Sequence, residues 1–474
     1  ALHDFRTDVR YGRCGLCENN CPLTIIRFPD KRTFITGNRC ERGAGKPNAA
    51  GGLPNLAREK LDKLFKREVL SPETAPRGAI GLPRALNMYE NYPLWHRFFT
   101  ELGFAVVLSD PSGKAMHEKA MDTIPSDTVC YPAKLVHGHI LNLVEKGVPA
   151  IFYPAVMYER KESGSQQNHY NCPIVAYYPE VIRVNMKAVL EARGVRFFAP
   201  FLNLNDEGAL EKALRETFSG IPAKEIRRAL RAGMREQEEY RAWLRKRAED
   251  ILAELVPTGG KAIVMAGHPY HIDPAVNHGL PEEMNRLGFA VLTEDAAACL
   301  ADDRPPVGVV NQWTYHSRLY RAAGAVKKYR QLELVQVSSF GCGLDAITTD
   351  ATAEMLEEAG ELYTWIKMDE ISNAGAARIR LRSLKAAVRE RERGGDADRW
   401  REALKRNEPV FGKEDRAIRT ILAPQMLPTH FELFEKAFRL GGYRLKVLKE
   451  VTASDVAAGL RYVNNDACYP AILT

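Results

Sequence analysis

A chain of 474 residues is too long for one hydrophobic core, so two or three domains are expected. Hydrophobic residues at 45% and charged residues at 27% exclude a disordered or fibrous chain, and no apolar run is long enough to cross a bilayer. The formal net charge of +7 is modest: it admits acidic partners such as nucleotides, and no nucleic-acid partner is expected.

The N-terminus has no signal-peptide apolar region, which points to a cytoplasmic, reducing compartment. Of nine cysteines, four crowd into the first forty residues and the others stand singly at positions 130, 172, 299, 342 and 468. That distribution is too uneven for a disulfide framework, and clustered cysteines in a reducing compartment point to metal.

Cys14, Cys17 and Cys21, in CGLCENNCPLTI, are followed by LTIIRF, a turn at PDKR, TFITGN and then Cys40. Alternation and the Pro-Asp turn predict a β-hairpin that folds Cys40 back onto the first three. Four thiolates suit zinc or an iron–sulfur cluster. Zinc ribbons carry two Cys-x-x-Cys knuckles, and here the second is missing. The spacing C-x2-C-x3-C, then a hairpin and C-x-R-G, is similar to the cluster-binding start of molybdopterin oxidoreductases, which holds a 4Fe–4S cluster. The expectation is one 4Fe–4S cluster in residues 1–50, with structural zinc as the alternative.

A repeat organises the rest of the chain. Ala79–Asp110, Ala262–Asp295 and Thr420–Glu450 each read as an apolar strand, a Pro-containing loop, an amphipathic helix, a glycine and a second apolar strand. Leu94, Trp95, Phe98, Phe99 and Leu102 share one helical face in the first copy, as do Phe431, Phe434 and Phe438 in the third. Gly103, Gly288 and Gly441 stand at the expected helix C-caps. Continuous apolar strands alternating with helices imply parallel sheets covered on both faces. The expected fold is α/β, with repeated Rossmann-like parallel-sheet domains, helical linkers and the small cysteine-rich hairpin module.

The boundaries expected are 78–255 and 256–375 for two Rossmann-like domains, 376–412 for a charged helical linker and 413–474 for the start of a third. CYPA recurs, at Cys130 after the first copy and at Cys468 after the third. The first continues through a helix and a strand, whereas the second stops at Thr474, so the chain is expected to be a piece of something longer. The helical stretches Asp206–Leu255 and Ala376–Arg406 are Arg-rich, but Glu is interleaved and a solvated face is the expectation. In the first, Ile226, Leu230, Trp243, Ile251 and Leu255 form one stripe.

Cys130 in DTVCYP, Cys172 in YNCPIV and Cys342 in SSFGCGLD follow strands or irregular segments and precede helices. Pro132 and Pro173 suit a first helical turn, and Thr348 or Thr349 could cap the helix after Cys342. In open α/β sheets ligands bind at such strand-to-helix junctions, where the helix dipole favours thiolate. One such cysteine alone is a buried structural thiol; three at equivalent positions suggest a shared cleft site. Cys299 lacks that context and reads as packing. His137 and His139, and His268, His271 and His278, form two groups; His137, His268 and His271 are weak candidates for proton transfer or phosphate contact. No P-loop, G-x-G-x-x-G or G-x-S-x-G is present.

Together CGLCENNCPLTI, GNRCERG, PSDTVCYPAKLVHGH, NCPIVAYYPEVI, HPYHIDP and SSFGCGLDAITTD resemble the 2-hydroxyacyl-CoA dehydratase and benzoyl-CoA reductase superfamily. The likeness is to large members with an activase-related, dehydratase-like region, kin to the double-cubane cluster proteins. It implies a second iron–sulfur cluster, of double-cubane type in those kin, in an interdomain cleft. Cys130, Cys172 and Cys342 would be its ligands, and Cys468 would begin a second set. The resemblance also implies an actin-like ATPase reductase as electron donor, as a separate chain or a missing segment, and homo- or hetero-oligomers. The implied function is a low-potential reductase or dehydratase component acting on a small substrate. The alternative is a zinc-stabilised binding or assembly protein without catalysis.

Overall fold

The computed structural model describes residues 7–15, 21–38, 52–71, 73–301, 307–370, 374–394, 411–463 and 469–473. Near the N-terminus, β1 (Asp8–Arg13), β2 (Pro22–Arg27) and β3 (Thr33–Thr36) form an antiparallel sheet in that order. The expected hairpin is β2–β3, in register from Thr24 opposite Thr36 to Arg27 opposite Thr33. β1 is an additional strand that the hairpin pattern did not reveal.

The first parallel sheet follows. It comprises β4 (Ala79–Leu82), β5 (Ala105–Leu108), β6 (Ala150–Phe152) and, after β7 (Ala155–Tyr158), β8 (Arg196–Phe198). The order is β5-β4-β6-β8. β7 pairs with β9 (Phe201–Asn203) and prolongs β6 and β8 beyond a break. Pro154 and Pro200 stand at the break; proline has no N–H to donate, so the ladder is interrupted there. Bonds of 2.9 Å from Tyr153 N to Phe198 O and from Ala155 N to Pro200 O hold the strands together across it.

The second parallel sheet contains β10 (Ala262–Ala266), β11 (Ala290–Thr293), β12 (Leu332–Ser339) and β13 (Tyr363–Met368), ordered β11-β10-β12-β13. Taken in chain order, the four strands stand 2-1-3-4 in both sheets, so the two are wound alike. β10, β11 and β12 are buried along their whole length, as strands covered on both faces must be. The third copy supplies a parallel pair, β14 (Thr420–Pro424) and β15 (Arg444–Leu448).

Two details depart from the sequence expectations. The second copy has no single helix: a 3-10 turn at Pro269–Ile272 is followed by short helices at Pro274–Asn277 and Leu280–Arg286. Each has a proline in its first turn, and His278 and Gly279 take left-handed backbone between the last two. In the third copy the helix Pro428–Leu440 leaves its apolar face open, with Leu433 60% and Phe434 50% exposed. Its C-cap is Gly441, as expected, and Gly442 after it takes left-handed backbone. In the first two copies Gly103 and Gly288 stand one residue past the C-caps Leu102 and Leu287, in left-handed backbone.

The helix Ala223–Leu255 joins the two sheets. Its 33 residues span about 50 Å. Ile226 and Leu230 enter the core beside the first sheet, Ile251 and Leu255 the core beside the second, and Trp243 packs against both. It crosses the helix Met88–Glu101 so closely that a Cβ on Gly233 would lie 2.6 Å from the Leu94 carbonyl oxygen. The main core is shared, holding Ile80 and Ile151 of the first sheet with Ile263 and Val335 of the second. Buried ion pairs tie the lobes together: Arg318, in the helix Thr314–Lys328, bonds to Glu90 and Glu162. Among the described residues no helix is long and apolar enough to cross a membrane.

Candidate functional site

Cys130, Cys172 and Cys342 each occupy the N-cap of a helix: Tyr131–Glu145, Pro173–Asn185 and Gly343–Glu357. Proline in the first turn of the first two helices suits the helix start, and Pro173 also keeps Cys172 before it extended. Only Cys342 follows a strand, β12. Before Cys130 come a 3-10 turn at Met121–Thr123 and an irregular segment, and before Cys172 a single bridge at Tyr170. The strand-end equivalence expected for Cys130 therefore fails, because its Pro-Ser-Asp segment turns instead of extending. The helix-start equivalence holds for all three. Thr348 and Thr349 do not cap the third helix; they lie within it, bonding back to the Leu344 and Ala346 carbonyls.

First-turn N–H groups of Ala133, of Ile174 and Val175, and of Asp345 lie toward the three sulfurs and favour thiolate, without the geometry of full capping bonds. Each cysteine keeps some accessible surface, yet its thiol is surrounded by protein. Burial pushes the Cys130 thiol up to about 12, and the charge of Cys172 adds to this. Burial likewise raises Cys172. Burial, then Asp345, then the other two cysteines raise Cys342. The three thiols are thus near enough to disfavour one another's ionisation, and a cation among them would reverse the balance. Tyr270 is near enough to all three for their charges to act on it: after burial, its hydroxyl is raised by those of Cys130, Cys172 and Cys342 in turn.

Beside the cysteines is an imidazole–carboxylate group. His268 follows β10 and stacks on Tyr270, with ring centroids 5.3 Å apart and planes at 11°. Its Nε2 donates to Asp345 Oδ1 at 2.9 Å. His316 Nε2 stands 3.3 Å from the same oxygen, within ion-pair distance but without hydrogen-bond geometry. Burial alone would raise the Asp345 carboxyl, but His268 and His316 hold it well below the usual carboxylate range. Burial alone would lower His268, but Asp345 outweighs it and the ring is raised. Donor atoms of His268, Cys342 and Asp345 lie within 4.8 Å of one another, close enough to share a metal. His268 Nδ1 and Asp345 Oδ2 are buried without hydrogen-bond partners.

The remaining histidine candidates are held in place by hydrogen bonds. His271 Nδ1 accepts from the His268 backbone N–H at 2.7 Å, a fold-over that requires Gly267, since a Cβ there would lie 2.4 Å from that nitrogen. His137 meets Thr123 Oγ1 at 2.9 Å and the Tyr178 hydroxyl at 3.2 Å, and His139 meets Ser109 and Ser112. His278 Nε2 donates to the Asp369 carbonyl. Cys299 donates to the Asp295 carbonyl, away from the three thiols' helix starts.

Cys14 and Cys21 flank the end of the β1–β2 ladder, joined by a 2.9 Å bond from Cys14 N to Cys21 O, and pack with Leu23. Cys17, Cys40 and Cys468 lie outside the described residues. A pocket of about 820 Å³, lined in part by Asp127, Lys134, Phe340, Trp365, Lys367 and Arg380, opens on the segments that carry Cys130 and Cys342.

Sequence reading missed Asp345, His316 and Tyr270. Asp345 had a signal, being three residues after an N-cap cysteine and therefore in the first turn of the same helix. His316, within QWTYHSRLY, had none.

A family model described as "CoA enzyme activase uncharacterised domain (DUF2229)" matches residues 79–297. The match takes in Cys130, Cys172, His268 and His271, and stops short of His316, Cys342 and Asp345. It fits the dehydratase and activase-related superfamily that the sequence resembles. No curated protein matches the chain.

Proposed function

We propose that the chain is an iron–sulfur redox protein of the 2-hydroxyacyl-CoA dehydratase and benzoyl-CoA reductase type. One observation carries the reading: three half-buried cysteines, each opening a helix, all act electrostatically on the same Tyr270 hydroxyl and oppose one another's ionisation. Such thiols stay neutral on their own, and a cationic centre among them would ionise them together. Cys130, Cys172 and Cys342 would hold the cluster, and three helix N-termini would offset its negative charge. A cluster bound there supplies one-electron transfer at low potential.

The rest of the chemistry falls to the protein's own residues. The pocket balances Lys134, Lys367 and Arg380 against Asp127, Asp369 and Glu370, so it would take a polar substrate by hydrogen bonds, and the two lobes would limit water at the thiols. Electrons would come from an actin-like ATPase reductase, since no phosphate-binding loop is present in this sequence. Cys14, Cys17, Cys21 and Cys40 would hold a 4Fe–4S cluster, with electrons passing from it toward the cleft.

Anaerobic purification tests the proposal. A brown protein with iron and acid-labile sulfide is expected, and Cys130→Ala, Cys172→Ala or Cys342→Ala should each lower the iron while Cys299→Ala does not. Reduction should require the ATPase reductase and ATP. A colourless protein with stoichiometric zinc would sink the proposal and favour the zinc-stabilised binding protein.

A further inference from the structure

We infer that His268 is a fourth protein ligand to the centre held by Cys130, Cys172 and Cys342, with Nδ1 as the coordinating atom and Asp345 as the residue that orients the ring. The inference rests on the cluster reading above and goes beyond it, since iron–sulfur centres commonly take four protein ligands and the cysteines would supply three.

Four observations support it. His268 Nε2 is held by Asp345 Oδ1 at 2.9 Å, while Nδ1 is buried and without a partner. A histidine with one ring nitrogen fixed by a carboxylate and the other bare has the arrangement of a metal-ligating imidazole. The ring is near the sulfur, as donor atoms of His268, Asp345 and Cys342 lie within 4.8 Å of one another. Its orientation is fixed again by stacking on Tyr270. A side chain so constrained has no packing reason to leave a nitrogen unpaired at a cost of about 1–3 kcal/mol.

A neutral imidazole leaves the site one negative charge lower than a fourth thiolate would.

The test uses the full chain reconstituted anaerobically with iron and sulfide, and labelled with 15N only in histidine. Pulsed EPR of the reduced protein should show hyperfine coupling to a histidine nitrogen. The coupling should vanish in His268→Ala and persist in His316→Ala. His268→Cys should keep the wild-type iron content, lose the nitrogen coupling and shift the midpoint potential downward. The labelled wild type is informative even if a variant fails to fold. If Cys342→Ala loses iron but the wild type shows no histidine coupling, the inference is overturned and the cluster reading stands. If Cys342→Ala loses no iron, both fall.

Discussion

Arg318→Met tests whether the lobes are fixed by a desolvated ion network. Arg318 is 2% exposed and arises from the lobe of the second sheet. It reaches Glu90 through Nη1 at 2.6 Å, and Glu162 through Nε at 2.9 Å and Nη2 at 2.5 Å. The cations that would remain are more distant: Arg241 at 3.4 Å from Glu90 and 3.7 Å from Glu162, and Arg321 at 3.9 Å from Glu162. Removing one partner of a buried pair leaves uncompensated charge and costs about 3–5 kcal/mol. At roughly 2–4 °C per kcal/mol for domains of this size, the apparent Tm should fall by about 10 °C. Burial would raise the Glu162 carboxyl, and Arg318 is the first of the groups that hold it low. Without Arg318 that carboxyl should take up a proton more readily, so the deficit should shrink as pH falls from about 7.5 to 5.5. Thermal melts followed by circular dichroism at both pH values measure this. A Tm within about 2 °C of wild type, or a deficit that does not change with pH, would refute the reasoning.

Glu159 is raised from its ordinary 4.5 to about 7, by burial first and then by Glu90. Its folded pKa lies above the unfolded one, so wild type should lose stability as pH rises through that window. Glu159→Gln should therefore gain relative to wild type with rising pH, by up to about 3 kcal/mol above pH 8; urea midpoints at pH 5 and 8.5 that differ by the same amount would contradict this. Gly233→Ala places a Cβ 2.6 Å from the Leu94 carbonyl oxygen. It should cost about 1–3 kcal/mol despite the better helix propensity of alanine, and a melt at or above the wild-type temperature would show that the helices can separate freely.

Sequence alone determined the features that depend on neighbours along the chain. Apolar strand, helix and glycine recur at short range, so the repeats and their parallel pairing were legible. Helix starts at Cys130 and Cys172 were legible because a following proline restricts the backbone locally. The three proline starts in Pro269–Arg286 were visible, yet the apolar period suggested one helix, and the left-handed pair at His278 and Gly279 emerged only in the fold. Tertiary structure alone decided that Asp345 meets His268 across 77 residues and that Arg318 meets Glu90 across 228. No periodicity encodes such pairs, because their energy comes from desolvation, which exists only once both lobes have closed over them. Cys342 could be read as one of three similar cysteines, but its place beside a buried imidazole and carboxylate required the second sheet to deliver all three groups to one point.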